Sequence, residues 1–154
     1  MRQAQAGLSL LELLVTLAVA GIILGIAGYG LLGPIRTARA ESFIQDLVQN
    51  INSARSQTMA RGAPYRIVFV SGGRYTVNRK KTDGTFEKLD DQTSSAVTLG
   101  GITAGDYLDF NTRGFVQGYN ASAVSKVIAS MTASYPGKTR QLQITYLGLA
   151  RELN

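Results

Sequence analysis

The residues of this chain that could do chemistry are carboxylates, lysines and arginines, because the sequence contains no cysteine and no histidine. Thiol nucleophiles, imidazole bases and the usual zinc sites are therefore excluded. Two aspartate pairs, Asp90–Asp91 and Asp106/Asp109, carry ligand groups that suit calcium, but their spacing is not that of an EF-hand loop. We interpret these aspartates as loop charges. We expect no catalytic residue, no metal site and no cofactor, and the patterns favour a non-enzymatic protein.

Basic residues form the second group of candidate functional side chains. From Ile35 onward the chain has 15 lysines and arginines against 9 acidic residues, which is compatible with a polyanion partner or with an ordinary solvated surface. Cations in loops suit phosphate contacts, and tyrosines such as Tyr75, Tyr135 and Tyr146 could stack on single-stranded bases. The candidate DNA-binding residues are Arg79, Lys80, Lys81, Lys138, Arg140 and Arg151.

Glu12 is the one charged residue among the 26 residues from Leu8 to Gly33. A helix of that length is about 39 Å long, which is enough to cross a bilayer. An ionised carboxylate near the end of such a helix can reach the lipid headgroups, but it needs a positive partner once several helices bundle together. The charged N-terminus of a neighbouring chain would be a suitable partner. We therefore predict a membrane-spanning segment whose single carboxylate acts in assembly.

The residues around Glu12 resemble the class III signal of type IV pilins and type II secretion pseudopilins. The match consists of a short basic leader, MRQAQAG, followed by LSLLE and an apolar run. The resemblance implies that a prepilin peptidase cuts after Gly7, that Leu8 becomes the N-methylated first residue, and that Glu12 guides assembly. The family prefers phenylalanine or methionine after the cut, so Leu8 departs from the pattern.

An amphipathic pattern follows the apolar run. Phe43, Leu47, Ile51 and Ala54 recur with helical spacing, and a stop signal follows at residues 62–64. We predict that this stripe is buried and that the helix ends near residue 61. The predicted organisation is a leader peptide at 1–7, a transmembrane and assembly helix at 8–34, and an exported domain at 35–154 with an amphipathic helix at 35–61 and a β domain at 64–154.

Short β-rich runs occupy the rest of the chain, separated by turn signals that contain glycine. The predicted strands are residues 65–70, 74–80, 85–89, 96–100, 107–111, 124–132 and 140–147. The fold class that follows is α+β. It consists of a long N-terminal helix, with a membrane-spanning half and an amphipathic half, packed on an antiparallel β-sheet or β-sandwich domain.

The C-terminal part is similar to minor pilins and pseudopilins of the GspH/FimT type. The similarity rests on SARSQTMARG, SGGRY, YLDFNTRG and QLQITYLGLAR. It implies a subunit of a type IV pilus or a type II secretion pseudopilus, with prepilin peptidase and other pilin or pseudopilin subunits as partners. The protein would lie in the bacterial inner membrane as a single-pass precursor. After assembly, its C-terminal domain would be periplasmic or extracellular.

Two alternatives stay open. Some relatives of this type are implicated in DNA uptake through a terminal G-R-x-R element, so one alternative is a DNA-binding minor pilin that acts as a receptor in natural transformation. Here the stretch from Gly148 to Arg151 reads GLAR, which keeps the glycine and only one arginine. The other alternative is a membrane-anchored binding domain that does not polymerise.

Overall fold

The computed structural model describes the backbone of residues 9–153 and the side chains of residues 9–25 and 33–153. The predicted cleavage and methylation residues, Gly7 and Leu8, lie outside the described residues. The chain divides into two compact units, one that ends at Arg36 and one that begins at Thr37. The described β strands all belong to the second unit.

Helix α1 spans Leu10–Arg61. Ser9 caps its N-terminus, because the Glu12 N–H donates a hydrogen bond to Ser9 Oγ at 3.2 Å. A glutamate three residues after a capping serine gives the sequence of a capping box. Pro34 lies inside the helix. The two predicted helical segments are therefore parts of one helical element.

The described part of the first unit is the beginning of α1. Its large apolar side chains are exposed in the single chain, which is typical of a segment that another surface covers. These exposed residues are Leu10, Leu11, Leu13, Leu14, Val15, Leu17, Val19, Ile22, Ile23 and Leu24. Over residues 9–25 and 33–153, no helix combines the length and the hydropathy that crossing a membrane requires.

The C-terminal end of α1 lies where the sequence predicted it. Gly62 follows the last helical residue with a φ of +65°, a left-handed conformation that glycine adopts without strain. Its N–H donates to the Thr58 carbonyl at 3.0 Å, which satisfies one of the last free acceptors of the helix. The predicted end near Arg61 is confirmed.

Within the described residues, nine strands follow the helix. They are β1 (Tyr65–Ser71), β2 (Arg74–Lys80), β3 (Phe86–Thr93), β4 (Thr98–Gly100), β5 (Tyr107–Phe110), β6 (Val116–Tyr119), β7 (Ser130–Tyr135), β8 (Lys138–Ile144) and β9 (Ala150–Leu153). Two antiparallel sheets result, with the strand orders β3-β2-β1-β5-β6 and β4-β7-β8-β9. The predicted α+β class, a helix packed on antiparallel sheets, is confirmed.

One hydrophobic core joins the helix to both sheets. The predicted helical stripe of Phe43, Leu47, Ile51 and Ala54 is buried throughout. It lies in one cluster with the inward faces of the strands, where alternate residues are buried, as in β1 and β7. Full burial of a large apolar side chain contributes about 1.5–3 kcal/mol. The stripe therefore holds this part of the helix firmly on the sheets.

The strand prediction was wrong over residues 124–129 and 145–147, and it missed two strands. Residues 124–129, predicted as the first part of a strand, contain only an isolated bridge at Ser125. Strands β6 and β9 were not predicted, and each is four residues long. Their sequences, VQGY and AREL, contain glycine or charged residues. Their extended conformation therefore depends on pairing with β5 and β8 rather than on local propensity.

The interpretation of the four aspartates as loop charges was wrong for three of them. Asp90 and Asp91 lie in β3, and Asp109 lies in β5. Asp106 lies just before β5 and is fully buried. A charged residue is compatible with a strand when a cation on the neighbouring strand faces it, and Asp109 lies opposite Arg66 in the register of β1 and β5.

Candidate assembly and docking sites

The candidate assembly residue, Glu12, lies in the first turn of α1. Its side chain is exposed in the single chain, and no ion pair involves it within the part of the chain that the structure describes. A negative charge is favourable in the first turn, because the unpaired N–H groups there carry partial positive charge. Ser9 and Glu12 therefore form a local cap, which the S-x-x-E spacing signals and the sequence reasoning missed.

The C-terminal end of α1 and three β turns lie together at one end of the second unit. We call this end the Arg61 end. The Lys80 N–H donates to the Pro64 carbonyl at 2.8 Å, which places the β2–β3 turn beside the start of β1. Strand β5 ends beside the start of β1, so the β5–β6 turn follows at the same end. The Val116 N–H donates to the Tyr146 carbonyl at 3.2 Å, which joins that turn to the β8–β9 turn.

Three of the candidate DNA-binding cations, Arg79, Lys80 and Lys81, lie at the Arg61 end. The Arg79 Nη2 atom donates to Glu87 Oε2 at 2.9 Å, so the charge of this arginine is already paired. Lys80 and Lys81 are exposed, and neither forms an ion pair within residues 9–25 and 33–153. The ammonium groups of these two lysines are therefore available to contact the phosphates of a polyanion.

Lys138 and Arg140 lie far from that end, against Glu41. Lys138 Nζ is 3.2 Å from Glu41 Oε1, and Arg140 pairs with both Glu41 and Glu152. The hydrogen bond from Lys138 is the main cause that holds the pKa of the Glu41 carboxyl below its usual value. Glu41 and Arg61 are 20 residues apart on one helix, which corresponds to about 30 Å. The structure therefore does not bring the candidate cations into one surface.

Arg151 lies on a third region, the exposed side of β9. It donates two hydrogen bonds to Gln143 Oε1, at 2.9 and 2.6 Å. The prediction that tyrosines could stack on bases was wrong for Tyr75 and Tyr135, because both are buried. Burial also raises the pKa of the Tyr75 hydroxyl. Tyr146, in contrast, is 72% exposed and remains available for contacts.

The sequence reasoning missed an arginine on the outer face of the five-stranded sheet. Arg66 donates two hydrogen bonds to Asp109, at 2.6 and 2.7 Å. Its guanidinium lies 4.1 Å from the ring centroids of both Phe86 and Tyr107, and the Tyr107 ring stacks on Tyr119. This row of flat groups comes from four strands, β3, β1, β5 and β6, of the five-stranded sheet. The alternation of β1 was the only signal that Arg66 faces outward.

A buried ion pair between Asp106 and Lys126 was also missed. The fully buried Asp106 accepts hydrogen bonds at Oδ2 from the Lys126 ammonium and, at 2.8 Å, from the Thr103 N–H. Burial raises the pKa of the Asp106 carboxyl, but the hydrogen bonds from Lys126 and Thr103 outweigh it, and the net pKa lies below its usual value. Lys126 belongs to the irregular segment 124–129, so the pair fastens that segment to the start of β5.

Comparison with known proteins finds a family motif at the N-terminus and similar folds among solved structures. Among curated proteins there is no match. Residues 2–28 match a family described as the prokaryotic N-terminal methylation motif. The fold is similar to the minor pseudopilin EpsH of the Vibrio cholerae type 2 secretion system, with 14% identity, a TM-score of 0.55, and coverage of 75% of this chain and 96% of that chain. It is also similar to the type IV minor pilin FimU of Pseudomonas aeruginosa, with 14% identity, a TM-score of 0.54, and coverage of 77% and 90%. The chain therefore carries a prokaryotic N-terminal methylation motif, and its fold is similar to that of these minor pilins and pseudopilins.

The terminal Gly-Arg element of this chain is not a compact cationic site. Gly148 has a φ of +72°, and a Cβ atom at this position would lie 2.9 Å from the Gly114 carbonyl oxygen. Glycine is therefore required to shape the β8–β9 turn. Arg151 lies beyond the turn and contacts Gln143. The glycine of the element thus has a structural role, and only the arginine offers charge.

DNA binding by this protein stays a prediction, and the cations without an ion pair in the described residues are the ones that test it. We expect the double variant Lys80→Gln/Lys81→Gln to weaken retardation of single-stranded DNA by the full chain in detergent micelles. The magnitude of the slope of log affinity against log salt concentration should decrease by about 1.4, because two phosphate contacts are lost and each contributes about 0.7. The control is Lys138→Gln, whose lysine is already paired with Glu41. Equal losses in both variants, or no retardation at low salt, would contradict the prediction.

Proposed function

We propose that this protein is a minor pilin or pseudopilin subunit without enzymatic activity. One observation carries the proposal: the methylation motif at residues 2–28 continues directly into the helix of a domain with a minor-pilin fold. A prepilin-type N-terminus combined with such a domain is typical of filament subunits that begin as membrane-anchored precursors.

The proposed sequence of events has three steps. The precursor lies in the inner membrane with a single pass and holds its C-terminal domain in the periplasm. A prepilin peptidase then cuts after Gly7 and methylates Leu8. Finally, the subunit joins other pilin or pseudopilin subunits through its apolar helix. Its domain then remains periplasmic in a type II secretion pseudopilus or becomes extracellular in a type IV pilus.

The surface of the first unit supports this proposal. Its large apolar side chains between Leu10 and Leu24 are exposed in the single chain, and they leave water only when lipid or other helices cover them. Glu12 is the charged residue on that surface. In a bundle of such helices its carboxylate needs a cation, because an ion buried without a partner is costly. The N-terminal ammonium of a neighbouring subunit, freed by the cut after Gly7, meets this need.

Processing is the step that we expect to be easiest to measure. When the chain is produced together with a prepilin peptidase, intact-mass spectrometry should find a mature protein that begins at Leu8 and carries one added methyl group. The Gly7→Leu variant should keep residues 1–7, because a bulky side chain replaces the glycine directly before the cut. The matched control, Gln5→Leu, changes the leader two residues earlier and should be processed normally.

The result also separates the proposed function from its non-polymerising alternative. A wild-type protein that keeps residues 1–7 in the presence of an active peptidase would contradict the proposal. It would favour a membrane-anchored binding domain that does not polymerise.

A further inference from the structure

Arg55 is a cation without a partner at the Arg61 end. It lies on α1, is partly buried, and has a buried Nε atom with no hydrogen-bond partner. No ion pair involves it within the described ranges 9–25 and 33–153. Because leaving a buried donor unpaired costs stability, such an atom calls for an explanation.

Two glycine turns close around the stem of Arg55. Gly114 has a φ of +82°, and a Cβ atom there would lie 2.6 Å from the sulfur of Met59 and 3.5 Å from Arg55 Nε. A Cβ atom at Gly148 would lie 3.1 Å from Arg55 Cδ. The two turns can approach the helix this closely only because neither residue has a side chain. The arginine is therefore held in a preformed notch.

Exposed apolar side chains surround this notch. Met59 on the helix is 43% exposed, and Leu147 and Leu149, on either side of Gly148, are 52% and 45% exposed. Tyr146 precedes them, and its ring centroid lies 5.0 Å from that of Phe115 in the neighbouring turn. Methionine, tyrosine and arginine are enriched at protein–protein interfaces, and apolar groups that cluster on a surface mark docking sites.

The charge around the notch is positive. Arg61, Lys80, Lys81 and Arg113 are exposed at this end and form no ion pair within the described part of the chain. Asp83, in the β2–β3 turn, is an exposed carboxylate near these cations. It accepts two hydrogen bonds within its turn, from the N–H and the hydroxyl of Thr85. A partner with complementary charge would therefore carry carboxylates.

We infer that Arg55, Met59, Gly114 and the turn at residues 145–149 form a docking surface for another polypeptide. The partner projects a carboxylate toward the Arg55 guanidinium and places apolar side chains on Met59, Leu147 and Leu149. A polypeptide fits better than a nucleic acid, because aliphatic side chains bury well against protein but gain little from a solvated sugar-phosphate backbone. The inference goes beyond filament assembly, since the surface exists whether or not the chain polymerises.

The test uses the isotope-labelled full chain in neutral maltoside micelles and two short peptides. One peptide has a glutamate flanked by leucines, and the other has glutamine in its place. We expect the glutamate peptide to shift the amide resonances of Gly114 and Gly148 in a saturable way. The glutamine peptide should bind about tenfold more weakly, because it cannot form a charge-assisted hydrogen bond with the arginine.

Matched variants assign the effect to the notch. Arg55→Gln keeps most of the stem that packs on both glycines and should weaken the glutamate peptide about tenfold. Lys138→Gln changes a lysine that lies far from the Arg61 end, against Glu41, and should leave its affinity unchanged. Leu147→Ser changes only an exposed apolar side chain and should weaken both peptides, so the inference remains testable even if Arg55→Gln does not fold.

Three results would overturn the inference. The first is equal binding of the two peptides. The second is displacement of the glutamate peptide by single-stranded oligothymidylate whose own binding depends on Arg55, which would assign the surface to nucleic acid. The third is sedimentation of the chain as a dimer that Leu147→Ser dissociates, which would assign the surface to a second copy.

Discussion

The Glu12→Gln variant is expected to be inserted and processed like the unmodified chain and to be missing from filaments. Glutamine keeps the size of the side chain and remains a good capping-box residue. It removes only the charge, so the N-terminal ammonium of a neighbouring subunit would be buried without its partner. Breaking a buried pair in this way costs about 3–5 kcal/mol, which reduces incorporation by a factor of about 100 to 4,000.

The measurement is the ratio of this subunit in sheared filaments to the amount in the membrane fraction. Ser9→Ala is the matched control, because it removes the hydroxyl that accepts the Glu12 N–H and leaves the carboxylate in place. We expect Ser9→Ala to be incorporated nearly normally. If Glu12→Gln entered filaments at the wild-type level, the assembly role of this carboxylate would be refuted, and a purely local capping role would remain.

The Lys126→Met variant is expected to lower the free energy of unfolding by about 3 kcal/mol at neutral pH. This value is the lower end of the range for removing one member of a buried ion pair. The reason is that Asp106 is fully buried and would lose the cation that faces it, whereas methionine preserves the length of the stem. The lower end of the range applies because the Lys126 side chain is 32% exposed. Water can therefore partly replace the ammonium group beside Asp106. Urea unfolding followed by tyrosine fluorescence measures the change.

Two further variants separate charge from packing at this site. Asp106→Asn combined with Lys126→Met should recover much of the loss, because the neutral amide can still accept the Thr103 N–H and no isolated charge remains. Lys88→Met removes an exposed lysine that pairs with Asp91 at 2.9 Å, and it should change stability by less than about 1 kcal/mol. If Lys126→Met and the unmodified chain were equally stable at neutral pH, the Asp106–Lys126 pair would not stabilise the attachment of residues 124–129.

The pH dependence of the same pair has a definite sign. The pKa of Asp106 in the folded protein lies below its usual value of 3.8, so the pair stabilises the fold above that value and its contribution is lost as the pH falls through the folded pKa. In Lys126→Met, the hydrogen bond from Thr103 remains, but the cation that opposes the effect of burial on the carboxyl pKa is gone, so this pKa rises. The stability difference between the variant and the unmodified chain should therefore shrink as the solution becomes acidic.

Local patterns were predicted well because their physical cause lies within a few residues. The buried stripe of Phe43, Leu47, Ile51 and Ala54 follows from the helical period alone. The helix ends at Arg61 because the glycine that follows adopts a left-handed conformation. The S-x-x-E cap at Ser9 was readable from the same kind of spacing, although it was overlooked.

Features that depend on pairing with another strand, or on contacts between residues far apart in the chain, were not predicted. Strands β6 and β9 have little strand propensity of their own and form against β5 and β8. The Asp106–Lys126 pair joins residues that are 20 positions apart, and no local signal connects them. The six candidate DNA-binding cations were grouped by residue type, but the fold distributes them over three regions and neutralises Arg79, Lys138 and Arg140 in ion pairs.

The sequence by itself determined the N-terminal methylation motif, the helical stripe and the α+β class. These depend on short-range spacing: a glycine before an apolar run, a carboxylate five residues further on, a helical period and turn residues. Only the tertiary structure decided which cations keep free charge and that Arg55 lies between Gly114 and Gly148. The reason is physical: strand register and helix packing set the distances between residues far apart in the chain, and those distances decide which charges meet a partner inside the molecule.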